Sequence, residues 1–381
     1  MAPQKGLGPN LASERTKQPF TAWDIINPDV AAEGGPWTWT HYGVYIPRLP
    51  APFQYLNVLV MFGAVDLSVF RHDEYLAGGA HAVVPEGGAE RLTTVMSSTA
   101  AEGQTFSRGY DSETQCQLSP SSLRWGRDFA MEMSFPRTAR VRASFDGGGG
   151  CWGYTLDLQL GQTAVWFISV PYYDHFSLPV TGTLCIADGG GAEHRIAISG
   201  ALEFARCKKP PSIPAETHRA VAKSTNFFIY HVVAVRDDDV QILWGEVRNA
   251  FAPPRKFAHV RRVSDGRLLE SFTTELQLQV ARDELVTDAM GRATRVPREF
   301  RAVVAAKSRG DEPVLVVAGT VNSSLRPGAG GGYVAGYEAR IEYRGRQYRG
   351  SASLSSSPRC LVLTPVANSQ SCREEAHSSS V

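Results

Sequence analysis

The sequence contains no pair of closely spaced cysteines and no long apolar run. Its six cysteines are widely separated, and none belongs to a Cys-x-x-Cys motif: Cys116, Cys151, Cys185, Cys207, Cys360 and Cys372. This spacing argues against a zinc ribbon and a thioredoxin-type redox site, so we interpret the cysteines as reduced, mostly structural thiols. The longest apolar run, Val58 to Val65, is far too short to cross a bilayer as a helix. We therefore expect no integral membrane association.

Positive and negative charges are nearly balanced in the sequence. The chain has 39 Lys and Arg residues against 38 Asp and Glu residues, a formal net charge of +1. Such a balance gives no long-range attraction for a polyanion, so nucleic acid is not an expected partner. The polar segment from Met1 to Lys17 lacks the apolar stretch of a secretory signal, which predicts a cytoplasmic protein. The sequence does not indicate an oligomeric state.

Motifs that bind nucleotides or metals, or that activate a serine, are also missing. No Gly-x-Ser-x-Gly elbow precedes a helix, no Gly-rich loop carries a phosphate-binding lysine, and no two histidines stand at metal-ligand spacing. The run from Gly147 to Gly150 is typical of a turn between strands. Hydrolase, kinase, dehydrogenase and metalloenzyme classes are disfavoured, and we expect no cofactor and no metal.

What the sequence does contain is apolar alternation with a period of two. Apolar and polar residues alternate from Tyr154 to Leu160, from Leu276 to Val280 and from Tyr337 to Tyr343. This period is that of antiparallel strands with one wet face. The 36 glycines and 23 prolines leave little room for long helices, because each costs roughly 1 to 3 kcal/mol inside one. We predict an all-β fold with few, short helices, and the best helical candidate lies around Arg282 to Met290.

A proline-rich segment from Lys208 to Pro214 divides the chain into two halves of similar size. Each half finishes with an alternating hairpin, Gly182 to Phe204 and Tyr333 to Leu354, which suggests duplication of one unit. The predicted organisation is a flexible tail at 1–19, a β-barrel-like domain at 20–207, a linker at 208–222, a second β-barrel-like domain at 223–354, and a flexible tail at 355–381.

The end of the first half resembles a known family. It runs from Val170 through a tyrosine-bearing strand to Gly182-Thr183-Leu184, and then past a glycine-bearing turn to Ile198-Ser199-Gly200. This order is similar to that of the lipocalin-like proteins related to bacterial carotenoid hydratases (hydroxyneurosporene synthases), the AttH group and fungal Diels–Alder cyclases. The resemblance implies two lipocalin-like antiparallel β-barrel or sandwich halves that pack together.

The sequence departs from this family directly after the final glycine of that segment. The family typically carries a tryptophan and then an acidic and basic pair, whereas this chain reads Ala-Leu-Glu-Phe-Ala-Arg-Cys from Ala201 to Cys207. The family's chemistry, hydration or cyclisation of long apolar substrates in a cavity, is therefore implied less strongly than its fold. We interpret the chain as a divergent member of unknown function.

The densest aromatic segment provides a candidate wall for a ligand. On an extended strand Trp37, Trp39, His41 and Gly43 share one face, and Tyr45 closes the segment. Such a wall suits a large hydrophobic compound. Burial of the same rings as an aromatic layer of the core is the alternative.

A polar group next to the family motif is a candidate for acid–base chemistry. The stretch Tyr172-Tyr173-Asp174-His175 brings a carboxylate beside an imidazole, the pair that proton transfer uses near neutral pH. Because neighbouring residues on a strand point to opposite faces, Tyr173 and His175 are the more natural partners, with Tyr172 as a ligand contact. A hydrogen-bonded histidine at the rim is the alternative.

A second candidate lies in the other half, where Trp244 and Glu246 share a strand face. A carboxylate buried against an indole would hold its proton and serve as an acid, while a salt bridge with Arg248 is the ordinary alternative. Two functions stay open: binding of a lipid, isoprenoid or polyketide without turnover, or a cofactor-independent hydratase, cyclase or isomerase. In the second, the pocket lies at the interface of the halves, and Tyr173, His175, Trp244 and Glu246 line it. Tyr173, His175 and Glu246 are the catalytic candidates. Whether the protein is an enzyme is not decided by the sequence.

Overall fold

The computed structural model describes most of the chain between residues 37 and 357. The described ranges are 37–63, 92–119, 122–134, 138–147, 150–161, 164–170, 173–188, 190–208, 225–235, 239–249, 252–272, 276–287, 293–305, 312–328 and 332–357. The predicted N-terminal tail, the linker after Lys208 and the C-terminal tail after Ser357 lie outside these ranges. In the described part of the chain, no helix has the length and hydropathy of a transmembrane span.

Within the described ranges the chain folds into two sheets. The first sheet contains β1 (Trp37–Ile46), β2 (Leu56–Gly63), β3 (Leu92–Thr99), β4 (Thr105–Asp111), β5 (Cys116–Ser119), β6 (Ser122–Trp125), β7 (Phe129–Ser134), β8 (Thr138–Gly147), β9 (Gly150–Leu160), β10 (Val165–Val170), β11 (Tyr173–Ala187) and β12 (Glu193–Lys208). The second sheet contains β13 (Thr225–Val235), β14 (Val240–Asn249), β15 (Ala252–Arg262), β16 (Leu268–Phe272), β17 (Leu276–Thr287), β18 (Ala293–Ala305), β19 (Pro313–Val321), β20 (Arg326–Gly328), β21 (Gly332–Tyr343) and β22 (Arg346–Ser357).

The first sheet curls around its own apolar core. Its strand order is β4-β3-β2-β1-β12-β11-β9-β8-β7-β6-β5, and β10 pairs with β11. The curl brings Trp125 of β6 to β3, where its Nε1 donates a hydrogen bond to Thr93 Oγ1 at 3.0 Å. Tyr42, Phe204 and Phe176 form a row across β1, β12 and β11 on the inner face, with ring centroids 5.0 and 5.4 Å apart. Strand β12 therefore lies at the centre of a well-packed wall.

The second sheet repeats this arrangement with fewer strands. Its order is β16-β15-β14-β13-β22-β21-β19-β18-β17, and β20 pairs with β21. Its core contains Trp244, Phe300 and Tyr337. The His231 ring stacks on Trp244, with ring centroids 3.6 Å apart. Its Nδ1 forms a hydrogen bond with Tyr337 Oη at 3.1 Å. Both sheets thus fill their interiors with side chains.

The predicted helix around Arg282 to Met290 is wrong for its described part. Residues up to Thr287 belong to β17, which pairs antiparallel with β18. Cross-strand ion pairs line the exposed face, with Arg282 bonded to Glu299 at 2.8 Å and Arg295 to Asp283 at 2.6 Å. The ladder to β18 overrides the local helix preference because strand formation depends on cross-strand neighbours more than on the segment itself.

The two sheets pack through their outer faces. On β1 the inner face carries Tyr42 and Val44, while Tyr45 points the other way and joins a separate apolar cluster with residues of the second sheet. That cluster also contains Val165, Ala201, Tyr230, Val232, Leu243 and Phe257. Strands β1, β10, β11 and β12 thereby face β13, β14 and β15. We call this contact the junction.

The junction is also held by hydrogen bonds between the sheets. Gln241 Nε2 donates to the Gly200 carbonyl at 2.9 Å, and Arg261 donates to the Ser177 carbonyl at the same distance. The architecture confirms the predicted fold class, all-β with two antiparallel halves packed together. The first sheet ends at Lys208 and the second begins at Thr225, while the predicted domain boundaries and linker stay a prediction.

Candidate functional site

Three adjacent strands bring two histidines and a glutamate together on the junction face of the first sheet. Strand β12 lies between β1 and β11, and its Ala205 pairs with His41 on one side and with His175 on the other. Glu203 is two residues from Ala205, so its side chain points to the same face. The register of three strands therefore places both imidazoles beside one carboxylate.

The contacts within this group are short. His41 Nε2 lies 3.1 Å from Glu203 Oε1, and His175 Nε2 lies 3.1 Å from Glu203 Oε2. Tyr45 donates its phenolic hydrogen to Glu203 Oε1 at 2.7 Å. The imidazole rings stand nearly perpendicular, at 84° with centroids 5.2 Å apart. We call His41, Tyr45, His175 and Glu203 the junction cluster.

Gly43 makes room for the cluster. It lies on β1 directly opposite Glu203, between His41 and Tyr45 on the same face. A Cβ atom at this position would lie 2.7 Å from Glu203 Cγ, Glu203 Oε1 and Tyr45 Cε2. Real Cβ contacts are not this close, so any side chain here would displace the carboxylate or the phenol. The sequence thus keeps a glycine where the fold needs an empty space.

Burial and hydrogen bonding set the charge of the cluster. Glu203 is 1% exposed, as are both histidines. Burial alone would raise the pKa of Glu203, but the charge and hydrogen bond of His175, together with those of His41, outweigh it and lower the pKa to about 2. Burial lowers the pKa of His41, against the raising effect of Glu203. The carboxylate is therefore ionised at neutral pH, although it is enclosed by protein.

The second sheet covers the cluster with aromatic side chains. Tyr230 of β13 stands edge-on to Tyr45, with ring centroids 5.2 Å apart, and its ring centroid lies 6.5 Å from those of His175 and Phe257. Burial raises the pKa of Tyr230 well above its usual value, and the negative charge of Glu203 adds to this rise. The phenol therefore stays protonated, and it can donate a hydrogen bond in a site of low polarity.

A buried arginine continues the polar layer away from the cluster. Arg261 of β15 is fully enclosed and donates to Ser177 Oγ at 3.2 Å and to Gln241 Oε1 from Nε at 2.9 Å. Burial lowers the pKa of Arg261 to about 9. Among the described residues, its hydrogen bonds go to neutral oxygens, so it remains a desolvated cation near the site.

The structure brings together three of the sequence-predicted residues, His41, Tyr45 and His175. It places Trp244 elsewhere, on the inner face of the second sheet against His231. Glu246 shares the face of Trp244 and is 2% exposed, so the sheet itself separates this carboxylate from the junction. The predicted grouping of His175 with Trp244 and Glu246 in one pocket is not what the fold assembles.

The other predicted site residues cannot be placed in full. Trp37 and Trp39 belong to β1 and Tyr173 to β11, but their side chains lie outside the described part of the structure. Tyr172 is outside the described residues. The roles predicted for these four aromatic residues stay predictions.

Sequence reasoning missed Glu203, Tyr230 and Arg261. One signal for Glu203 was present: it stands in Ala201-Leu202-Glu203-Phe204-Ala205, a strand that is otherwise apolar on both faces. A single acid in such a strand is buried, and a buried acid needs partners. Tyr230 and Arg261 carried no comparable signal, because their burial depends on how the two sheets pack.

The cluster is also a possible ligand set for a metal ion. Among the described residues, His41, His175 and Glu203 offer one ligand atom each, and these atoms all lie within 4.8 Å of one another. Two imidazole nitrogens and one carboxylate oxygen are a donor set that zinc and other divalent transition metals accept in proteins.

A cleft of about 580 Å³ opens between the two sheets beside this region. The first sheet lines it with Pro47 and Ser199, and the second with Asn322 and Glu338, among others. Its lining is more polar than the junction and does not include the cluster. Pro47 follows Tyr45 by two residues and Ser199 precedes Ala201 by two, so the cleft adjoins the same outer face of β1 and β12.

The chain belongs to the family of unknown function DUF6670, whose model matches residues 59–354. No curated protein matches the sequence. Among solved structures, kievitone hydratase from Nectria haematococca aligns with 90% of this chain and 96% of its own, at 9% identity and a TM-score of 0.49. The WD40 domain of SCAP from fission yeast aligns with 70% of this chain and 82% of its own, at 8% identity and a TM-score of 0.14.

Proposed function

We propose that the protein is an enzyme that activates water or transfers a proton on a hydrophobic small molecule, in the manner of a hydratase or isomerase. One observation carries this proposal: an ionised carboxylate, Glu203, is enclosed at the junction and contacts two imidazoles and a phenol. These are the groups that general acid–base chemistry uses.

The burial of this cluster favours a functional role over a structural one. Enclosing an ion costs several kcal/mol even after the protein relaxes, and an apolar substitute of similar volume is often as stable or more stable. A fold with a filled core on both sides of the junction does not need such a group for its packing. Clusters of this kind, with perturbed pKa values, concentrate at functional sites.

For hydration the atoms balance with these groups alone. A water molecule bonds through oxygen to one carbon of a double bond while a donor group gives a proton to the neighbouring carbon. The water then gives up one of its two protons to an acceptor group, so that a hydroxyl remains on the product. The imidazole of His175, which Glu203 holds at 3.1 Å through Nε2, is the acceptor for that proton, and a protonated phenol such as Tyr230 is the donor. For isomerisation, the same two groups move a proton from one carbon to another.

The cleft gives the remote part of the substrate a place to bind. Ser199 at the cleft lies four positions before Glu203 on β12, which is about 13 Å at 3.3 Å per residue. A long molecule that reaches from the cleft toward Glu203 would pass Tyr45 and Ala201 on the same face. This arrangement fits the predicted long apolar substrate, with polar substituents at the cleft end.

Binding without turnover is the second candidate. It is favoured by the apolar side chains around the cluster, Val165, Val232, Leu243 and Phe257, which suit a hydrophobic ligand. In this case the cluster would hold a polar group of the ligand by hydrogen bonds.

The test is turnover in heavy-oxygen water. Purified full-length protein is incubated with a library of apolar compounds that carry a double bond, and products are analysed by mass spectrometry. We expect a product that has gained one labelled water, or an isomer that has gained solvent hydrogen. Glu203→Gln should lower the rate by at least about 100-fold, whereas Glu299→Gln, which changes an exposed ion pair, should not.

Three outcomes separate the alternatives. Retention of an apolar compound by the protein through extraction, without conversion of any library member, would support binding only. Full turnover in both Glu203→Gln and His175→Ala would remove the junction cluster from the mechanism. Loss of turnover in Glu246→Gln, with Glu203→Gln unaffected, would move the active site to the interior of the second sheet.

A further inference from the structure

We propose that His41, His175 and Glu203 together bind one divalent transition-metal ion, with zinc the best match to their donor atoms. Nothing in the sequence pattern pointed to such a site, because the three residues come from strands far apart in the chain. Metal binding itself does not depend on the proposed reaction, but its role in catalysis rests on the proposed function of this site.

The donor atoms lie close enough together to converge on one ion. Atoms bound to one zinc at 2.0 to 2.2 Å in tetrahedral geometry lie about 3.3 to 3.5 Å from one another. Glu203 places Oε1 at 3.1 Å from His41 Nε2 and Oε2 at 3.1 Å from His175 Nε2. Both imidazoles thus present the nitrogen that is farther from the backbone to the same carboxylate. One ligand atom from each of the three residues lies within 4.8 Å of the other two, so side-chain movements that close the longest separation to about 3.4 Å would bring them onto a common ion.

The fold positions the three side chains firmly. His41, Glu203 and His175 stand on three hydrogen-bonded neighbouring strands, and β12 is paired on both sides. Sites built on strands are held more precisely than sites built on loops. Little ordering of the backbone therefore remains to be achieved when an ion binds.

A supporting shell surrounds the ligands. Tyr45 donates a hydrogen bond to Glu203 Oε1, which fixes the carboxylate in the way that outer partners orient metal ligands. Gly43 leaves the space that the carboxylate occupies. The packing of Tyr230 and Phe257 from the second sheet keeps the surroundings apolar, which strengthens the attraction between an ion and its anionic ligand.

The donor set leaves at least one coordination position for water or substrate. Two histidines and one glutamate are three protein ligands, the number found in catalytic zinc sites, whereas structural zinc sites use four. A bound zinc ion lowers the pKa of its water to about 7 and so supplies hydroxide at neutral pH. The ion would then perform the activation of water, while Glu203 and the histidines hold it.

The decisive measurement is zinc binding by wild-type protein. The protein is purified with and without a chelator, and its metal content is determined by inductively coupled plasma mass spectrometry. The metal-free protein is then titrated with zinc by isothermal titration calorimetry. We expect one zinc per chain and a rise in the thermal unfolding midpoint when zinc is added. Titration with cobalt should give the visible absorption of a four- or five-coordinate ion.

Matched variants assign the ligands. His175→Ala and Glu203→Gln should each weaken zinc binding by more than about 100-fold, and Tyr45→Phe by about 10-fold, which is the range for an outer partner. His194→Ala is the control, since His194 also pairs with a carboxylate, Asp188 at 2.9 Å, but is 39% exposed and belongs to no three-ligand group in the part of the chain that the structure describes. It should bind zinc like the wild type.

Wild-type protein that takes up no stoichiometric zinc or cobalt would overturn the inference, and the cluster would then be a hydrogen-bonded network without an ion. Equal affinity in the wild type, His175→Ala and Tyr45→Phe would overturn it as well, because the ion would lie elsewhere. Zinc binding without turnover of any library compound would refute the proposed function and leave the metal site standing. Turnover by metal-free protein would support the proposed function and refute a catalytic role for the ion.

Discussion

At the scale of one residue, Gly43 leaves the space that the Glu203 and Tyr45 side chains of the junction cluster occupy. In Gly43→Ala the added methyl group meets Glu203 and Tyr45 at 2.7 Å. We expect a loss of about 1 to 3 kcal/mol in the free energy of unfolding, as for overpacking elsewhere, and weaker zinc binding. Urea denaturation and calorimetry measure the two effects. Gly190→Ala, in an exposed turn, should stay within about 0.5 kcal/mol of the wild type.

The buried His259 makes the free energy of unfolding depend on pH, and burial sets the direction of this dependence. Burial, with the nearby Arg261 charge, lowers the pKa of His259 from 6.5 to about 3. Between these two values the unfolded chain binds a proton that the folded chain does not, so stability is lost as the pH falls below 6.5. His259→Gln should reduce the slope of unfolding free energy against pH by about 1.4 kcal/mol per pH unit.

The measurement is urea denaturation at several pH values between 3.5 and 6.5, the window set by the two pKa values. His231 contributes in the same direction, since burial lowers its pKa well below the usual value, but it is present in both proteins and cancels in the comparison. Identical slopes in the wild type and His259→Gln would contradict the burial of a neutral imidazole at this position.

At the scale of the element, β12 carries both the cluster and the edge of the cleft. Ser199→Trp would fill the cleft at its first-sheet side while leaving Glu203 untouched. If the substrate extends through the cleft, this variant should raise KM by about 10-fold or more and leave zinc affinity unchanged. Ser144→Trp, on the exposed face of β8, is the control. An unchanged KM in Ser199→Trp would show that the substrate reaches the cluster by another route.

The strands could be predicted from the sequence because alternation is a local signal. Leu276 to Val280 and Tyr337 to Tyr343 lie in β17 and β21 as predicted. The sequence predicts a helix around Arg282, where the structure has a strand, because the strand state depends on β18 and on ion pairs such as Arg282 with Glu299. Local patterns do not show which strand will lie alongside.

The candidate site could be predicted only in part, for a similar reason. The sequence indicates both His41 and His175 as candidates, but it places them in different groups. Their meeting requires β1 and β11 to flank β12, and 158 positions separate Tyr45 from Glu203. Trp244 and Glu246 looked equally suitable in the sequence, and only the packing of the sheets shows that they face away from the junction.

At the scale of the whole molecule, the two sheets depend on a few polar contacts across the junction. Arg261 and Gln241 donate to Ser177 and Gly200 of the first sheet. The double variant Arg261→Leu with Gln241→Leu should remove these bonds and leave buried carbonyls unpaired, at about 1 to 3 kcal/mol each. We expect unfolding of the variant to separate into two transitions.

Calorimetry on the wild type and the double variant measures this separation. An exchange of exposed residues, Arg140→Leu with Arg142→Leu, is the control and should preserve the wild-type profile. A single transition in the double variant, at an unchanged temperature, would show that apolar packing of residues such as Tyr45 and Tyr230 is sufficient to couple the sheets.

The central position of β12 in the first sheet has a consequence for biosynthesis. The strand that carries Glu203 is the last of its sheet to leave the ribosome, and both of its neighbours, with His41 and His175, precede it. A nascent chain therefore cannot acquire the junction cluster stepwise. Until residues of β12 emerge, β1 and β11 expose unpaired backbone edges that a chaperone or another chain could occupy.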